Sequence, residues 1–376
     1  MPSRRALLRL AGAALLSSAS AYGIALQSLS PTAELSVSIE LNDATATQSS
    51  GNLPTRSPVD VTLYFPTNGV NPDLPWVMMM NGANCYSQDY TFLLSQLAGR
   101  GYLAVAPTQL HPKPPKFQSN DLMKDEEQLC DKDSIAIVTG SLVNDVHTLL
   151  TNLTSRDPSE QPPIPHITAE AQDAIKNVNL DSFVVVSHSA GAVTAIDMLT
   201  GRCKAEKQAA QMCGNYTAIL DKDGNGALKG VLAYEGYAAS GITVPDNTFL
   251  TYMAGQYNNQ AGEKFQETKG ECVQYLKLQA GNHYAITDWN PDTAPHQRSP
   301  CAAHIPADDP NFTTTREEQE ERLVFIAQYT DAVIRAKLLG DAATANYVMH
   351  EVPSSPLVQA ADISPGCFGA TQQTTH

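Results

Sequence analysis

Short, unbroken apolar runs alternate with stretches of helical periodicity along this chain, and that alternation restricts its fold more than any other feature. Val77, Met78, Met79 and Met80 form one such run, and Phe183 to Ser187 forms another. Runs this short and continuous suit strands buried on both faces of a parallel sheet. After the first run, Tyr90, Leu93, Leu94 and Leu97 fall at i, i+3, i+4 and i+7 on one helical face, closed by Gly99 and Gly101. Further strands are predicted over 35–41, 59–65, 102–107, 230–235, 248–254 and 273–279. Helices are predicted over 135–149, over 190–200, and on the face formed by Phe325, Tyr329, Ala332, Val333 and Ala336. Strand and helix in turn predict an α/β protein with a mostly parallel central sheet and helices on both faces. No repeat or linker interrupts 22–376, which is expected to form a single domain. Within it, 111–133 is rich in proline and charge and reads as a rim or lid loop, and 348–376 reads as an irregular tail.

The second apolar run leads directly into Ser187, His188, Ser189, Ala190 and Gly191, followed by an apolar helix. Strand, tight turn and helix around a central serine are the context of a nucleophile elbow, G-x-S-x-G. The turn requires small residues two positions either side of the serine. Gly191 meets this on one side, and Ser187 replaces the usual glycine on the other. Such a turn lifts the Ser189 hydroxyl to a helix N-terminus, where the dipole and the Ala190 N–H favour negative charge. His188 leaves the turn in another direction and is expected to be a hydrogen-bonding neighbour rather than the base.

A serine nucleophile needs a general base, and the base needs an orienting carboxylate. Downstream histidines are His283, His296, His304, His350 and His376. His283 lies just past the strand at 273–279, and loops at the carboxyl ends of parallel strands gather at one edge. It is therefore preferred over His296 and His304, which lie in a proline-rich stretch with no strand before them. Glu235 ends the strand at 230–235, whereas the next loop, Gly255 to Asn259, has no carboxylate. Glu235 is thus the expected acid. Asp246 precedes its strand, at the wrong edge, and Asp288 would have to fold back towards His283.

Ester or amide cleavage through such a set also needs two N–H donors for the oxyanion. Ala190 is one candidate. The other is Ala83, in the loop after 77–80, where Gly82 lets the backbone turn close to a substrate. Tyr86, Tyr237 and Tyr284 flank these loops and are candidates for an aromatic wall around the substrate.

At this point the chain resembles the α/β-hydrolase superfamily. Within it, the chain is similar to the chlorophyllase, dienelactone-hydrolase and polyester-hydrolase group of serine esterases. The resemblance covers about 59–350 and rests on Asn81-Gly82, the segment Leu97 to Pro107, Ser187 to Gly191, Tyr234 to Gly236, Gly281 to His283 and the closing stretch Lys337 to Tyr347. It implies a carboxylic ester hydrolase with Ser189, His283 and Glu235 as its triad. Chlorophyllase-like members carry the acid where Glu235 stands, although they use Asp, and Asn81-Gly82 stands where the group has His-Gly. Polyester hydrolases place the acid one strand later, where this chain has only Asn258 and Asn259. The other readings are a non-catalytic binding protein that keeps the fold, and a serine peptidase.

The net charge of −15 argues against nucleic acid or an anionic membrane surface as a partner. No apolar run is long enough to span a membrane. A small or lipid-like ester is the expected partner, bound by a monomer. Arg4 and Arg5 precede an apolar stretch and then Ala19, Ser20 and Ala21, so 1–21 reads as an export signal. The paired arginines fit either a twin-arginine leader or an ordinary basic n-region. Export to a periplasmic or extracellular space permits disulfides. Of the seven cysteines, Cys203 with Cys213 is the closest pair, and Cys272 with Cys301 and Cys85 with Cys130 are weaker pairings. Asn152, Asn215 and Asn311 open Asn-x-Thr sequons, which matter only in a eukaryotic source. No cofactor is required for this chemistry. Asp221, Asp223 and Asn225 match the first ligands of a calcium loop, although the twelfth position is Leu232. Any calcium there would be structural.

Overall fold

A computed structural model of the chain describes residues 29–40, 58–82, 85, 87–107, 140–155, 168–205, 213, 216, 226–237, 240–256, 258–288 and 316–368. Among these residues nine strands form one sheet: β1 (Thr32–Glu40), β2 (Pro58–Pro66), β3 (Pro75–Met80), β4 (Ala104–Pro107), β5 (Asn179–His188), β6 (Leu228–Tyr234), β7 (Phe249–Ala254), β8 (Val273–Leu278) and β9 (Val358–Ile363). Their spatial order is β1-β2-β4-β3-β5-β6-β7-β8-β9. The strands from β4 to β8 run parallel, β2 and β9 run against them on either side, and β1 pairs antiparallel with β2 at the far edge. This mixed sheet, with helices on both faces, has the α/β-hydrolase architecture expected from the sequence.

Every residue of β3 and β7 is buried, because each strand is covered by helices on both faces. Met78, Met80, Val185, Val231 and Tyr252 point into one apolar layer with the helices α2 (Ser141–Thr154), α3 (Ala169–Ile175) and α4 (Ala190–Leu199). Val77, Met79, Val184, Val186 and Leu232 point into the opposite layer, filled by α1 (Thr91–Gly99) and α6 (Arg316–Leu338). The period-2 alternation of the strands divides the core, and the helical stripes close each half.

Register fixes which strand ends meet. Met80 pairs with Ser187, Ser187 with Ala233, and His188 with Tyr234. Tyr234 in turn pairs with Met253, and Met253 with Leu276. The segments after β3, β5, β6, β7 and β8 therefore emerge side by side at one edge of the sheet.

The structure departs from expectation in several places. Of the tail expected to be irregular, the described part up to Phe368 is not: a helical turn, Tyr347–Glu351, leads into β9, which pairs antiparallel with β8. Few apolar residues face the core along Val358–Ile363, an edge strand whose alternation is too weak to read. This return brings Cys367 to Cys272, with Cα atoms 4.2 Å apart in a disulfide, so Cys272 does not pair with Cys301. The Cys203–Cys213 disulfide forms as expected. Cys85 is a buried free thiol, not a partner of Cys130. The short helices α3 and α5 (Gln260–Glu267) escaped the sequence reading because each spans only about two turns. Among the described residues no helix is long and apolar enough to cross a membrane. The expected export signal 1–21, the loop 111–133 and the calcium-loop residues Asp221, Asp223 and Asn225 lie outside the described residues.

Candidate active site

Ser189 sits between the end of β5 and the start of α4 with φ 51°. A serine held at positive φ costs about 1–3 kcal/mol and persists only where its surroundings over-determine it. Here they do. The Ser189 N–H donates to Tyr234 O at 2.9 Å, and Ser189 O accepts from the N–H groups of Ala192 and Val193 at 3.1 and 3.3 Å. Gly191 passes so close to β3 that a Cβ there would lie 2.3 Å from Met80 O and 2.5 Å from Asn81 O. This contact is the reason for a glycine two positions after the serine. On the other side, Ser187 is buried and its hydroxyl donates to Leu232 O at 3.0 Å. The neighbouring strand thus satisfies the polar atom that glycine would not carry. Ala190 opens α4, whose first N–H groups have no intrahelical acceptor.

Glu235 follows β6 directly and also has positive φ, 54°. Its side chain is 7% exposed, against 41% for His283. His283 Nδ1 lies 3.4 Å from Glu235 Oε2. Asn258 Nδ2 donates to the same oxygen at 2.6 Å, and the Gly255 N–H donates to Glu235 Oε1. Burial alone would push this carboxyl up, but the hydrogen bonds from His283, Gly255 and Asn258 outweigh it and hold the carboxyl below its ordinary value. Glu235 is therefore ionised and aimed at the imidazole. The loop after β7, notable in the sequence for lacking an acid, supplies donors to Glu235 after the neighbouring strand. Sequence reading missed Gly255 and Asn258 in this role because an amide donor carries no motif.

His283 lies on the loop after β8, and that loop is fastened at several points. Tyr234 Oη donates to Asn282 O at 2.6 Å, and Gln319 Nε2 donates to Tyr284 O and Thr287 O at 3.2 and 2.8 Å. Asp288 does not fold back to His283. Instead the N–H of Phe92, near the start of α1, donates to both its carboxylate oxygens at 3.0 Å, and the Asp288 N–H donates to Asp89 O at 2.6 Å. Asp246 is exposed at the opposite end of β7. Among the described residues the Ser189 hydroxyl has no hydrogen-bond partner. Nucleophile–base bonds are often open before substrate arrives.

No family model matches this sequence, and no curated protein matches it. Solved structures do. One is a ferulic acid esterase from Streptomyces cinnamoneus, 15% identical, with a TM-score of 0.47 over 83% of this chain and 91% of that one. It is a distant likeness in fold.

Of the remaining sequence candidates, Tyr284 stands edge-on to His283, with ring centroids 5.0 Å apart. Tyr237 is half-buried, and its hydroxyl donates to Gln260 Oε1. Ala83 and Tyr86 lie outside the described residues, but Asn81 and Gly82 on the same loop are placed. Asn81 is buried and its Nδ2 donates to Pro107 O at 2.8 Å, tying this loop to the end of β4.

Asp288 gives the site's loop a pH dependence of its own. Burial raises its carboxyl to about 8; nearby Asp89 and Glu320 push the same way, against the Phe92 N–H. A carboxyl whose folded value lies above its unfolded one favours folding most at low pH, and that contribution is lost as pH rises from about 4 through 8. An Asp288→Asn variant keeps an acceptor for Phe92 and removes the titration. Its melting temperature should match that of the unsubstituted protein near or below about pH 4 and exceed it progressively as pH rises, by several degrees or more at about pH 9, at roughly 2–4 °C per kcal/mol. A pH-independent difference between the two proteins would count against this assignment.

Proposed function

We propose that this chain is an exported serine hydrolase that cleaves carboxylic esters. One observation carries the proposal: a buried carboxylate faces the imidazole of His283 at the same sheet edge where a strained turn presents a serine. Ser189 Oγ attacks the ester carbonyl while His283 Nε2 takes its proton. Glu235 fixes the ring so that Nδ1 carries a proton and Nε2 a lone pair, and it stabilises the imidazolium that forms. The Ala190 and Ala83 N–H groups receive the oxyanion. His283 then protonates the departing alcohol. Water, deprotonated by the same imidazole, opens the acyl-serine and releases the acid and the free Ser189 hydroxyl. No metal takes part in these steps, and no cofactor is required.

The chlorophyllase-like resemblance suggests a small or lipid-like ester as substrate, with Tyr86, Tyr237 and Tyr284 around it. The Cys203–Cys213 and Cys272–Cys367 disulfides support folding in an oxidising compartment, in keeping with an export signal at 1–21. A fluorophosphonate probe tests the reading. The full-length protein should gain one adduct by mass, located on Ser189. It should turn over p-nitrophenyl esters faster than matched peptide anilides. No adduct would leave a binding protein that keeps the fold, and preferential anilide cleavage would make it a peptidase.

A further inference from the structure

His188 is the residue before the nucleophile, and its ring is buried. His188 Nε2 lies 2.8 Å from the main-chain oxygen of His283, and Nδ1 lies 2.9 Å from the hydroxyl of Tyr90. A carbonyl can only accept, so Nε2 carries the proton and Nδ1 offers its lone pair. Tyr90 Oη therefore donates to Nδ1, and it accepts from the Gly82 N–H at 2.9 Å. The donors run in one direction, from Gly82 through Tyr90 and His188 to His283 O.

This chain of bonds joins the loop after β3, on the oxyanion side, to the loop that carries the base. Among the described residues, no other group donates to His283 O. Contact at the other end is equally close. A Cβ on Gly82 would lie 2.6 Å from His188 Nδ1, so only glycine lets the ring sit there. Burial and the neighbouring His283 ring hold the His188 imidazole well below its usual range, and burial pushes the Tyr90 hydroxyl well up. Both groups keep the protons that this direction requires.

We propose that His188 is a positioning residue: as a neutral imidazole it fixes the backbone of His283 relative to the Gly82 turn, using Tyr90 as the link. The proposal rests on the reading of Ser189, His283 and Glu235 as the reacting set. It deepens that reading by assigning work to a histidine that does not itself exchange protons with substrate.

The full-length protein and three variants, His188→Phe, His188→Gln and Tyr90→Phe, test it. Readouts are kcat and KM on a p-nitrophenyl ester, the rate of fluorophosphonate labelling, and the melting temperature. His188→Phe should lower kcat about 100-fold and Tyr90→Phe about 10-fold, with KM within about threefold, since displacing a base by about 1 Å costs this much. His188→Gln can place an N–H where Nε2 was and should recover kcat to within about fivefold of the unsubstituted protein. If His188→Phe fails to fold, Tyr90→Phe, which removes one oxygen, decides the matter alone. Variants that label and turn over like the unsubstituted protein would overturn the proposal, as would a glutamine variant no better than the phenylalanine one. Absence of labelling in the unsubstituted protein would overturn the hydrolase reading itself, a result distinct from either.

Discussion

Ser189→Ala is expected to abolish ester hydrolysis, lowering kcat by roughly 10⁴–10⁶-fold while leaving the fold intact. The hydroxyl is the only group removed, and among the described residues it makes no hydrogen bond whose loss would unsettle the turn. The backbone bonds that hold φ 51° belong to the main chain and to Tyr234, Ala192 and Val193, so alanine inherits them. Fluorophosphonate labelling should vanish, and the melting temperature should move by no more than a few degrees. The comparison needs one p-nitrophenyl ester assay at matched protein concentration. Activity retained above about 1% would place the nucleophile elsewhere and remove the basis for the proposed mechanism.

Glu235→Gln should be almost as damaging, with kcat falling about 10³–10⁴-fold. The carboxylate accepts from three donors: the Gly255 N–H, Asn258 Nδ2 and His283 Nδ1. A glutamine has one acceptor oxygen, and its NH₂ group must face at least one of those donors. The imidazole then loses its orienting acceptor and the negative charge that stabilises it when protonated. Stability should fall too, because a nearly buried donor is left unpaired at about 1–3 kcal/mol. The pH dependence has the opposite sign to that of Asp288. A carboxyl held below its ordinary value contributes stability above that value, and this is lost as pH falls through the folded one. In Glu235→Gln the acid-side loss should therefore be smaller. Rates in Glu235→Gln within tenfold of the unsubstituted protein would show that another group orients His283.

Asp288 illustrates how a carboxylate close in sequence to His283 takes different work. It lies five positions after His283, yet it caps α1 through Phe92. Adjacency along the chain did not bring the groups together; the sheet register did, by aligning the ends of β6 and β8 through β7.

The amino-acid sequence by itself determined the α/β class, because a run such as Val77 to Met80 has no polar face and must be covered on both sides. It also marked the tight turn at Ser189, since small residues flank it, and the candidates His283 and Glu235, since both follow apolar strands. These are local signals, set by side-chain size and periodicity. Three other features were decided only in three dimensions. Cys272 found Cys367 because β9 returns along β8. Asn258 and Gly255 became partners of Glu235 because the turn after β7 lies beside it. His188 came to hold His283 through a ring packed against Gly82 and Tyr90, the latter nearly a hundred positions earlier in the chain. Hydrogen bonds of this kind depend on distances of a few ångströms between distant segments. Composition and spacing do not encode those distances; they follow from the packing of the whole sheet.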